Sequence, residues 1–223
     1  MKNMKLKIYI FRHGQTYYNK NHIFTGWKDS KLTSQGIKDC EKIAKKLKNK
    51  KFQAAFQTHL SRSKGTLKAV LKYHPECKKI ITDDRMIERS YGKLEGKSHK
   101  DFIEKVGNDF YRTLLHWHKI DHLGGKDKAK FVNEAGKAEF DLIHRSYSTP
   151  PPGGESVKMV EKRVLSFIKY LISYMKKNKV NVAISSHGNS MRPFRRYFEH
   201  LTSSKMMELE TPWDDYFEYT INV

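Results

Sequence analysis

The stretch that decides the fold is residues 6–14, which read LKIYIFRHG. Its apolar part, Leu6–Phe11, predicts a first β-strand, and polar residues follow as soon as that strand ends. A second stretch rich in branched residues, Val180–Ser185, runs into SHGN at residues 186–189 in the same way. Ile- and Val-rich strands are typical of buried parallel sheets. If the two strands are neighbours, their His-Gly pairs lie close together.

Three further apolar runs and three helical patterns complete an alternating order of strands and helices. The predicted strands are Phe52–Gln57, Lys79–Ile81 and Tyr216–Ile221, and the predicted helices are Ser34–Lys50, Leu60–Tyr73 and Val157–Lys177. On the first helix, the predicted inward stripe is Ile37, Cys40, Ile43, Ala44 and Leu47. This alternation predicts an α/β fold, a three-layer sandwich with a mainly parallel central sheet flanked by helices. Ligands of such sheets bind at the carboxyl ends of the strands.

Residues 93–154 interrupt this order because they contain no convincing strand. The segment is rich in His, Lys and aromatic residues and ends in the proline-glycine run Pro150–Gly154. Its apolar residues recur at helical spacing, which favours a helical insertion over the alternative of a disordered loop. These residues are Phe102, Ile103, Val106, Phe110, Leu114 and Leu115. We predict one domain, residues 1–223, in which residues 93–154 form a helical cap over the active site.

The composition indicates a globular protein that contacts anions. With 223 residues, 38% of them hydrophobic, the chain can bury a sizeable core. Its 44 Lys and Arg exceed its 24 Asp and Glu, and the net charge of +20 suits phosphorylated metabolites, nucleic acid or an anionic membrane surface. Cys40 and Cys77 match no metal-binding or redox spacing, so a reducing cytoplasm is expected. The sequence shows no signal-peptide pattern and no apolar run of membrane-spanning length.

His13 is the strongest candidate for a nucleophile. A neutral imidazole at the end of a strand can attack phosphorus while a backbone carbonyl holds its second ring nitrogen. Arg12 can bind phosphate oxygens with its planar guanidinium, and Gly14 lets the backbone approach the phosphate. Each residue alone also fits an ordinary structural role, and the second His-Gly pair favours the functional one. We expect His187 to stay protonated beside the phosphate and to stabilise its charge.

Two further candidates follow predicted strands. Arg62 lies at the start of the helix after the second strand, where helix N-termini attract anions; the alternative is an ordinary surface arginine. Glu88 follows the third strand and is a candidate general acid–base, with a surface salt bridge as the alternative. Two arginines, two histidines and a carboxylate can support phosphoryl transfer without a metal. The sequence contains no HExxH, paired CxxC, EF-hand or Walker motif.

Together these motifs resemble the histidine phosphatase superfamily, and more closely its cofactor-dependent phosphoglycerate mutase branch. The resemblance extends over nearly the whole chain and depends on the order and spacing of its blocks. The matching blocks are Arg12–Asn19, Phe24–Asp29, Thr58–Thr66, Glu88–Gly92, Pro150–Ser156 and His187–Arg192.

The resemblance implies roles for individual residues. His13 would be phosphorylated, Arg12, Arg62 and His187 would form the phosphate pocket, and Glu88 would donate and accept the proton. The residues implied near the phosphate or the substrate carboxylate are Thr16, Asn19, Thr25, Gly26, Arg89, Tyr91, Gly188 and Asn189. The implied cofactor is 2,3-bisphosphoglycerate, as the priming phosphoryl donor, and no metal is implied.

The chain departs from the mutase pattern at positions that would contact substrate. A lysine of the pattern corresponds to His99, with Lys100 next to it. The first of two arginines before the proline run is His144, and the second is retained as Arg145. We expect all four residues to contact substrate. His144 would do so weakly near neutral pH, where an unperturbed histidine is mostly uncharged.

The leading functional hypothesis is interconversion of 3-phosphoglycerate and 2-phosphoglycerate, so the expected partner is a small phosphorylated carboxylate. The first alternative is a phosphatase of the same superfamily, in which water accepts the phosphoryl group. A basic nucleic-acid-binding module is a distant alternative, because the lysines are dispersed and do not interleave with aromatic residues. We expect neither a nucleic acid nor a membrane as partner, and association into a homo-oligomer is left open.

Overall fold

A five-stranded sheet lies at the centre of the computed structural model, which describes residues 4–222. The strands are β1 (Lys5–Arg12), β2 (Ala54–Gln57), β3 (Lys79–Thr82), β4 (Val182–Ser186) and β5 (Tyr216–Asn222). Their spatial order is β3-β2-β4-β1-β5; the first four are parallel, and β5 is antiparallel to β1. The predicted mainly parallel sheet is confirmed, and each predicted strand agrees with the observed one to within two residues at either end.

Eight α-helices accompany the sheet within the described residues. They are α1 (Tyr17–Lys20), α2 (Ser34–Leu47), α3 (Ser61–Leu71), α4 (His99–His116), α5 (Gly125–Arg145), α6 (Val157–Asn178), α7 (Gly188–Glu199) and α8 (Ser203–Glu208). Short 3₁₀ turns span Asp84–Met86 and Gly92–Leu94. The three helices predicted outside the insertion correspond to α2, α3 and α6. Across residues 4–222, no helix combines the length and the apolar character needed to cross a membrane.

Alternate side chains of β1 enter two separate cores on opposite faces of the sheet. Ile8 and Ile10 pack with the apolar residues of α6 and α7. Tyr9 and Phe11 pack with those of α2 and α3. Because successive side chains of a strand point to opposite faces, this sorting produces the helix–sheet–helix layers that the alternating sequence predicts.

The inward face of α2 differs from the prediction at Ile37, whose side chain is 53% exposed. Gly36 takes the inward position on that turn. A Cβ atom there would lie 2.0 Å from the carbonyl oxygen of Gln15, so the helix approaches the loop after β1 too closely for a side chain. One residue further along, Ile37 is rotated by about 100° and faces solvent. The other predicted members of the stripe, Cys40, Ile43, Ala44 and Leu47, are buried.

The predicted insertion contains α4 and α5, which pack side by side with opposite directions. A Cβ atom at Gly107 would lie 1.9 Å from the carbonyl oxygen of Val132, and one at Gly136 would lie 1.9 Å from that of Ile103. The two helix backbones therefore touch at two points, one at a glycine of α4 and the other at a glycine of α5. This excludes the alternative of a disordered loop, whereas the boundaries 93 and 154 of the insertion stay a prediction.

We expect Gly107→Ala to destabilise the α4–α5 pair by about 1–3 kcal/mol, the usual cost of overpacking. The added methyl group would overlap the Val132 carbonyl. Gly125→Ala is the matched control, because a Cβ atom there meets nothing within 4 Å. Hydrogen exchange of peptides from α4 and α5 reports the difference. Equal exchange in the two variants would contradict the close backbone packing.

Candidate active site

The parallel pairing of β1 with β4 brings the two His-Gly pairs together. Arg12 lies opposite Ser186 in the register, and the backbone N–H of His13 donates to the Ser186 carbonyl at 3.1 Å. The imidazole rings of His13 and His187 follow directly, with their centroids 5.0 Å apart. Both rings are buried. The site therefore lies at the carboxyl edge of the sheet, where parallel sheets bind their ligands.

His13 has the tautomer that a nucleophile requires. Its Nδ1 lies 2.8 Å from the carbonyl oxygen of Gly14, which can only accept, so Nδ1 carries the proton. Nε2 is then unprotonated and free to attack. Burial lowers the pKa of His13 well below its ordinary value, and the charges of Arg62 and Arg12 lower it further. The imidazole is consequently neutral at physiological pH.

The second histidine, His187, lies buried among positive charges. Burial lowers its pKa well below the ordinary value, and Arg62, His13 and Arg12 contribute in the same direction. The ring is therefore neutral without an anion beside it, and its protonation next to a phosphate stays a prediction. Its Nε2 lies 2.9 Å from the hydroxyl of Thr58. Our sequence analysis did not propose Thr58 as a site residue, although it follows β2 directly and the rule that selected the two histidines applies to it.

Buried hydrogen-bond donors without partners are concentrated at this site. Across residues 4–222, six buried side-chain nitrogens have no hydrogen-bond partner, and all but one belong to residues of this region. The five atoms are Nε of Arg12, Nε of Arg62, Nη1 of Arg89, Nδ1 of His187 and Nε1 of Trp213. An unsatisfied buried donor costs about 1–3 kcal/mol, so such a group calls for a ligand with several acceptor oxygens.

The remaining guanidinium nitrogens fix the positions of Arg12 and Arg62. Arg12 donates from Nη1 to the carbonyl oxygen of Thr211 at 3.2 Å. Arg62 donates from Nη1 to the carbonyl of Lys28 at 3.0 Å and from Nη2 to that of Gly26 at 2.7 Å. Carbonyls therefore supply the hydrogen bonds of both arginines, and Arg62 has in addition a long ion pair with Asp29, at 3.7 Å from Nη1. Arg62 is fully buried, so the alternative of a surface arginine is excluded.

Glu88 is also buried, which excludes the alternative of a surface salt bridge. Its Oε1 accepts from the backbone N–H groups of Arg89 at 2.9 Å and of Asn189, in the first turn of α7, at 3.0 Å. Oε2 is the oxygen that remains for proton transfer. The ring nitrogens of His13 and His187 and a Glu88 carboxylate oxygen lie within 4.8 Å of one another.

These three side chains could geometrically hold a metal ion, but their surroundings suit an anion. Arg12 and Arg62 are close enough to lower the pKa of both histidines, so a divalent cation would be repelled. Nδ1 of His13 is already engaged by Gly14. Four of the five unpartnered nitrogens at the site, those of Arg12, Arg62, Arg89 and Trp213, can only donate. A phosphate group matches this arrangement of charges and donors.

A cleft of about 650 Å³ opens beside the histidine pair. Several predicted substrate-contacting residues line it together with Arg12 and Glu88, namely Tyr91, His144, Arg145, Gly188 and Asn189. The opposite wall is residues 207–213, which we did not predict. From this wall, the Trp213 ring covers the Arg12 guanidinium at 4.9 Å. Arg89 is fully buried and donates to the carbonyls of Glu155 and Ile143.

Four residues predicted near the substrate support the loop after β1 instead of lining the cleft. Thr16 caps α1, where its hydroxyl and its backbone N–H both donate to the side chain of Asn19. The hydroxyl of Thr25 donates to the carbonyl of Ile23 at 3.3 Å. The carbonyl of Gly26 accepts from Arg62. Gly26 therefore helps to hold Arg62, whereas the other three residues form hydrogen bonds within residues 16–25.

His99 and Lys100, which we predict to contact substrate, do not line this cleft. Both line a separate cavity of about 670 Å³ along α4 and α5. The His99 ring packs edge-on against Phe24, with centroids 4.4 Å apart, and also contacts the ring of Phe140. Burial lowers the pKa of His99 to about 4, so it behaves as an aromatic core residue. This apolar cluster turns His99 away from the cleft.

His144 and Arg145 do reach the cleft, from the end of α5. The His144 ring stacks on that of Phe140, with centroids 4.1 Å apart. Burial, assisted by His99, lowers the pKa of His144 to about 4, so the ring is neutral at physiological pH. Arg145 is 83% exposed and makes an ion pair with Asp141 at 3.3 Å. Of these two residues, Arg145 alone brings a positive charge to the cleft, which Arg192 also lines.

Comparison with known proteins agrees with this geometry. Residues 8–145 and 122–220 match the histidine phosphatase superfamily (branch 1). The chain belongs to this superfamily. It is therefore an enzyme, and the resemblance stated above is confirmed. The 2,3-bisphosphoglycerate-dependent phosphoglycerate mutase of Methanococcus vannielii is 33% identical over 91% of the chain and 85% of the relative. The similarly named protein of Chlamydia caviae is 32% identical, over 91% of the chain and 88% of the relative.

Solved structures of this superfamily share the fold. A phosphoglycerate mutase from Bacillus anthracis aligns with a TM-score of 0.67 and 20% identity, covering 98% of this chain and 89% of its own. The α-ribazole phosphatase from Shigella flexneri aligns with a TM-score of 0.70 and 18% identity, covering 96% and 89%. At these identities, the likeness shows the fold alone.

The lowered pKa of His144 makes a prediction about stability. The unfolded chain binds a proton at this residue below about pH 6.5, whereas the folded chain does so only near pH 4, so stability falls as the pH drops through this window. His144→Phe keeps an aromatic ring against Phe140 and removes the titration. We expect it to reduce the stability loss between about pH 7 and pH 5 by at most roughly 2 kcal/mol.

Urea unfolding at the two pH values measures this difference. His116→Phe, at the exposed end of α4, is the matched control and should leave the pH dependence of the wild type unchanged. An equal pH dependence in His144→Phe and the wild type would contradict the burial of a neutral His144.

Proposed function

We propose that this enzyme interconverts 3-phosphoglycerate and 2-phosphoglycerate in the cytoplasm through a phosphohistidine at His13, primed by 2,3-bisphosphoglycerate. The observation that carries the proposal is a neutral His13 with a free Nε2, surrounded by buried donors that lack partners. The names of relatives about 30% identical over most of the chain support the same activity.

The proposed chemistry uses the phosphorylated enzyme, for which 2,3-bisphosphoglycerate supplies the first phosphoryl group. The 2-hydroxyl of 3-phosphoglycerate attacks the phosphorus, the bond from phosphorus to Nε2 of His13 breaks, and Glu88 takes the hydroxyl proton. Nε2 then attacks the 3-phosphoryl group of the bisphosphorylated intermediate. The bond to the 3-oxygen breaks, and Glu88 returns its proton to that oxygen.

The surrounding residues stabilise the charge that moves during these steps. Nε of Arg12, Nε of Arg62 and Nδ1 of His187 are the donors available to the equatorial phosphoryl oxygens. A phosphate dianion between them offsets the repulsion that lowers the pKa of His187 and favours its protonated form. Nη1 of Arg89 and the exposed Arg145 are the donors proposed for the carboxylate and the second phosphate.

One observation favours a phosphatase as the second candidate. His144 is neutral where the mutase pattern has an arginine, and Arg145 is largely exposed, so the cleft holds a second acidic group less firmly. Weak retention of the bisphosphorylated intermediate gives water more access to phosphorylated His13. In that case water accepts the phosphoryl group, Glu88 accepts a proton from the water, and free phosphate leaves.

An assay with 3-phosphoglycerate, with and without 2,3-bisphosphoglycerate, separates the two functions. We expect 2-phosphoglycerate to form only with the cofactor and well ahead of free phosphate. Arg145→Ala should impair this reaction more than it impairs hydrolysis of a small generic phosphate ester, because the ester lacks the second acidic group. Faster release of phosphate than of 2-phosphoglycerate with cofactor present would establish the phosphatase instead.

We expect His13→Ala to abolish mutase and phosphatase activity alike, since both pass through the same phosphohistidine. The wild type should take up an acid-labile, base-stable phosphoryl label that this variant lacks. His116→Ala, which removes an exposed histidine from the end of α4, serves as the control and should label normally. Labelling that persists in His13→Ala would place the nucleophile on another residue.

We expect Glu88→Gln to lower kcat by about a hundredfold to ten-thousandfold, the usual contribution of general acid–base catalysis. Gln can still accept the two backbone hydrogen bonds through its amide oxygen, so substrate binding should change little. Glu134→Gln on the exposed face of α5 is the control. Steady-state kinetics decide the matter: wild-type turnover in Glu88→Gln would reduce Glu88 to a structural residue.

A further inference from the structure

The guanidinium of Arg163, on α6, is the most completely engaged cation at the back of the site. Nε and Nη2 donate to the two carboxylate oxygens of Glu155 at 2.9 and 3.0 Å. Nη1 donates to the carbonyls of Arg85 and Ile87, both at 2.8 Å, and Nη2 also donates to that of Glu88 at 2.9 Å. These five bonds use all five N–H groups that an arginine offers.

Glu155 connects the Arg163 guanidinium to Arg89 and Ser90. Its Oε2 accepts from the backbone N–H of Ser90 at 3.0 Å, and its carbonyl accepts from Nε of Arg89 at 2.7 Å. Its own backbone N–H donates to the Ser90 carbonyl at 2.9 Å. The ion pair is largely buried, with 18% and 13% of the Arg163 and Glu155 side chains exposed.

The segment that receives these bonds, residues 87–90, lies in neither a helix nor a strand. Several of its buried backbone groups therefore obtain their partners from side chains: the carbonyls of Ile87 and Glu88 and the N–H groups of Arg89 and Ser90. Trp27 provides one more, because its Nε1 donates to the Glu88 carbonyl at 2.8 Å. From this segment Glu88 lines the cleft, and the buried guanidinium of Arg89 keeps Nη1 without a partner.

We propose that the Glu155–Arg163 ion pair is the positioning element for Glu88 and Arg89, and that it controls the chemical step by fixing the segment from which both side chains project. The inference rests on the proposed role of Glu88 in proton transfer. Arg163 and Glu155 are positioning residues, because neither is a cleft-lining residue.

Positioning the segment requires the planar geometry of the Arg163 guanidinium more than its positive charge. A lysine would keep the positive charge but offers three donors on a single nitrogen, which cannot reach two carboxylate oxygens and three carbonyls. With three donors for five acceptors, at least two of the five hydrogen bonds would be lost. Small displacements of a catalytic group cost about a hundredfold in rate, so the loss should appear in kcat.

Arg163→Lys tests the proposal, with Arg196→Lys as the matched control. Arg196 also forms a largely buried ion pair, with Glu161, and it joins α7 to α6 without contacting residues 87–90. We expect Arg163→Lys to lower kcat by roughly tenfold to a hundredfold with KM changed less than about threefold. Arg196→Lys should leave kcat within about twofold of the wild type, although both lower the melting temperature.

A second measurement is independent of substrate identity. The backbone N–H groups of Arg89 and Asn189 both donate to Oε1 of Glu88, so their hydrogen exchange reports the position of that carboxylate. Exchange at both should accelerate at least about tenfold in Arg163→Lys and stay unchanged in Arg196→Lys. Kinetics are measured on 3-phosphoglycerate and on p-nitrophenyl phosphate, so that a failure of the mutase proposal leaves this test intact.

Glu155→Gln is the second variant, and it should reproduce both effects even if Arg163→Lys does not fold. Combined with Arg163→Lys, it should add little further loss of kcat, since the two residues act as one unit. Wild-type kcat and exchange in either folded single variant would overturn the proposal. So would losses no larger than those of Arg196→Lys, which would make the pair a contributor to stability alone.

Discussion

The hydrogen bond from the backbone N–H of His13 to the carbonyl of Ser186 continues the β1–β4 ladder one residue beyond the strands. Everything at the site depends on this continuation. It sets the two imidazole rings 5.0 Å apart. It also directs α7 so that its first turn offers a backbone N–H to Glu88. Strand pairing, more than side-chain contact, therefore assembles the catalytic group.

The fold also keeps two charged arginines and several unpartnered hydrogen-bond donors buried, away from the water that would otherwise solvate them. Burial lowers the pKa of Arg12 and of Arg62, and Glu88 partly opposes this in both cases. Carbonyl oxygens accept the hydrogen bonds that hold these cations, and Asp29 forms a long ion pair with Arg62 alone. Donors organised before the ligand arrives need no rearrangement when charge develops on a transferred phosphoryl group, which is the main source of electrostatic catalysis. The two hydrophobic cores offset the free-energy cost of burying these groups.

The sequence was sufficient to predict the sheet and to place the two histidines at one edge of it, because both follow from local pattern. An Ile- or Val-rich strand followed directly by polar residues locates both His13 and His187, and the parallel pairing of the two strands brings them together. Ile37, His99 and His187 show what local pattern cannot supply. The exposure of Ile37 depends on how closely α2 approaches the Gln15 carbonyl. The orientation of the His99 ring depends on an aromatic cluster assembled from three segments of the chain. The neutral state of His187 depends on burial, which exists only in the folded chain.

The central claim is that Nε2 of His13 carries the phosphoryl group because Nδ1 is held by the Gly14 carbonyl. The most direct test is ³¹P–¹⁵N NMR of the protein labelled with ¹⁵N-histidine and treated with 2,3-bisphosphoglycerate. The account predicts one phosphoramidate resonance, coupled to Nε2 of His13 and not to Nδ1. Coupling to Nδ1, coupling to a different histidine, or the absence of any phosphoramidate under turnover conditions would contradict it.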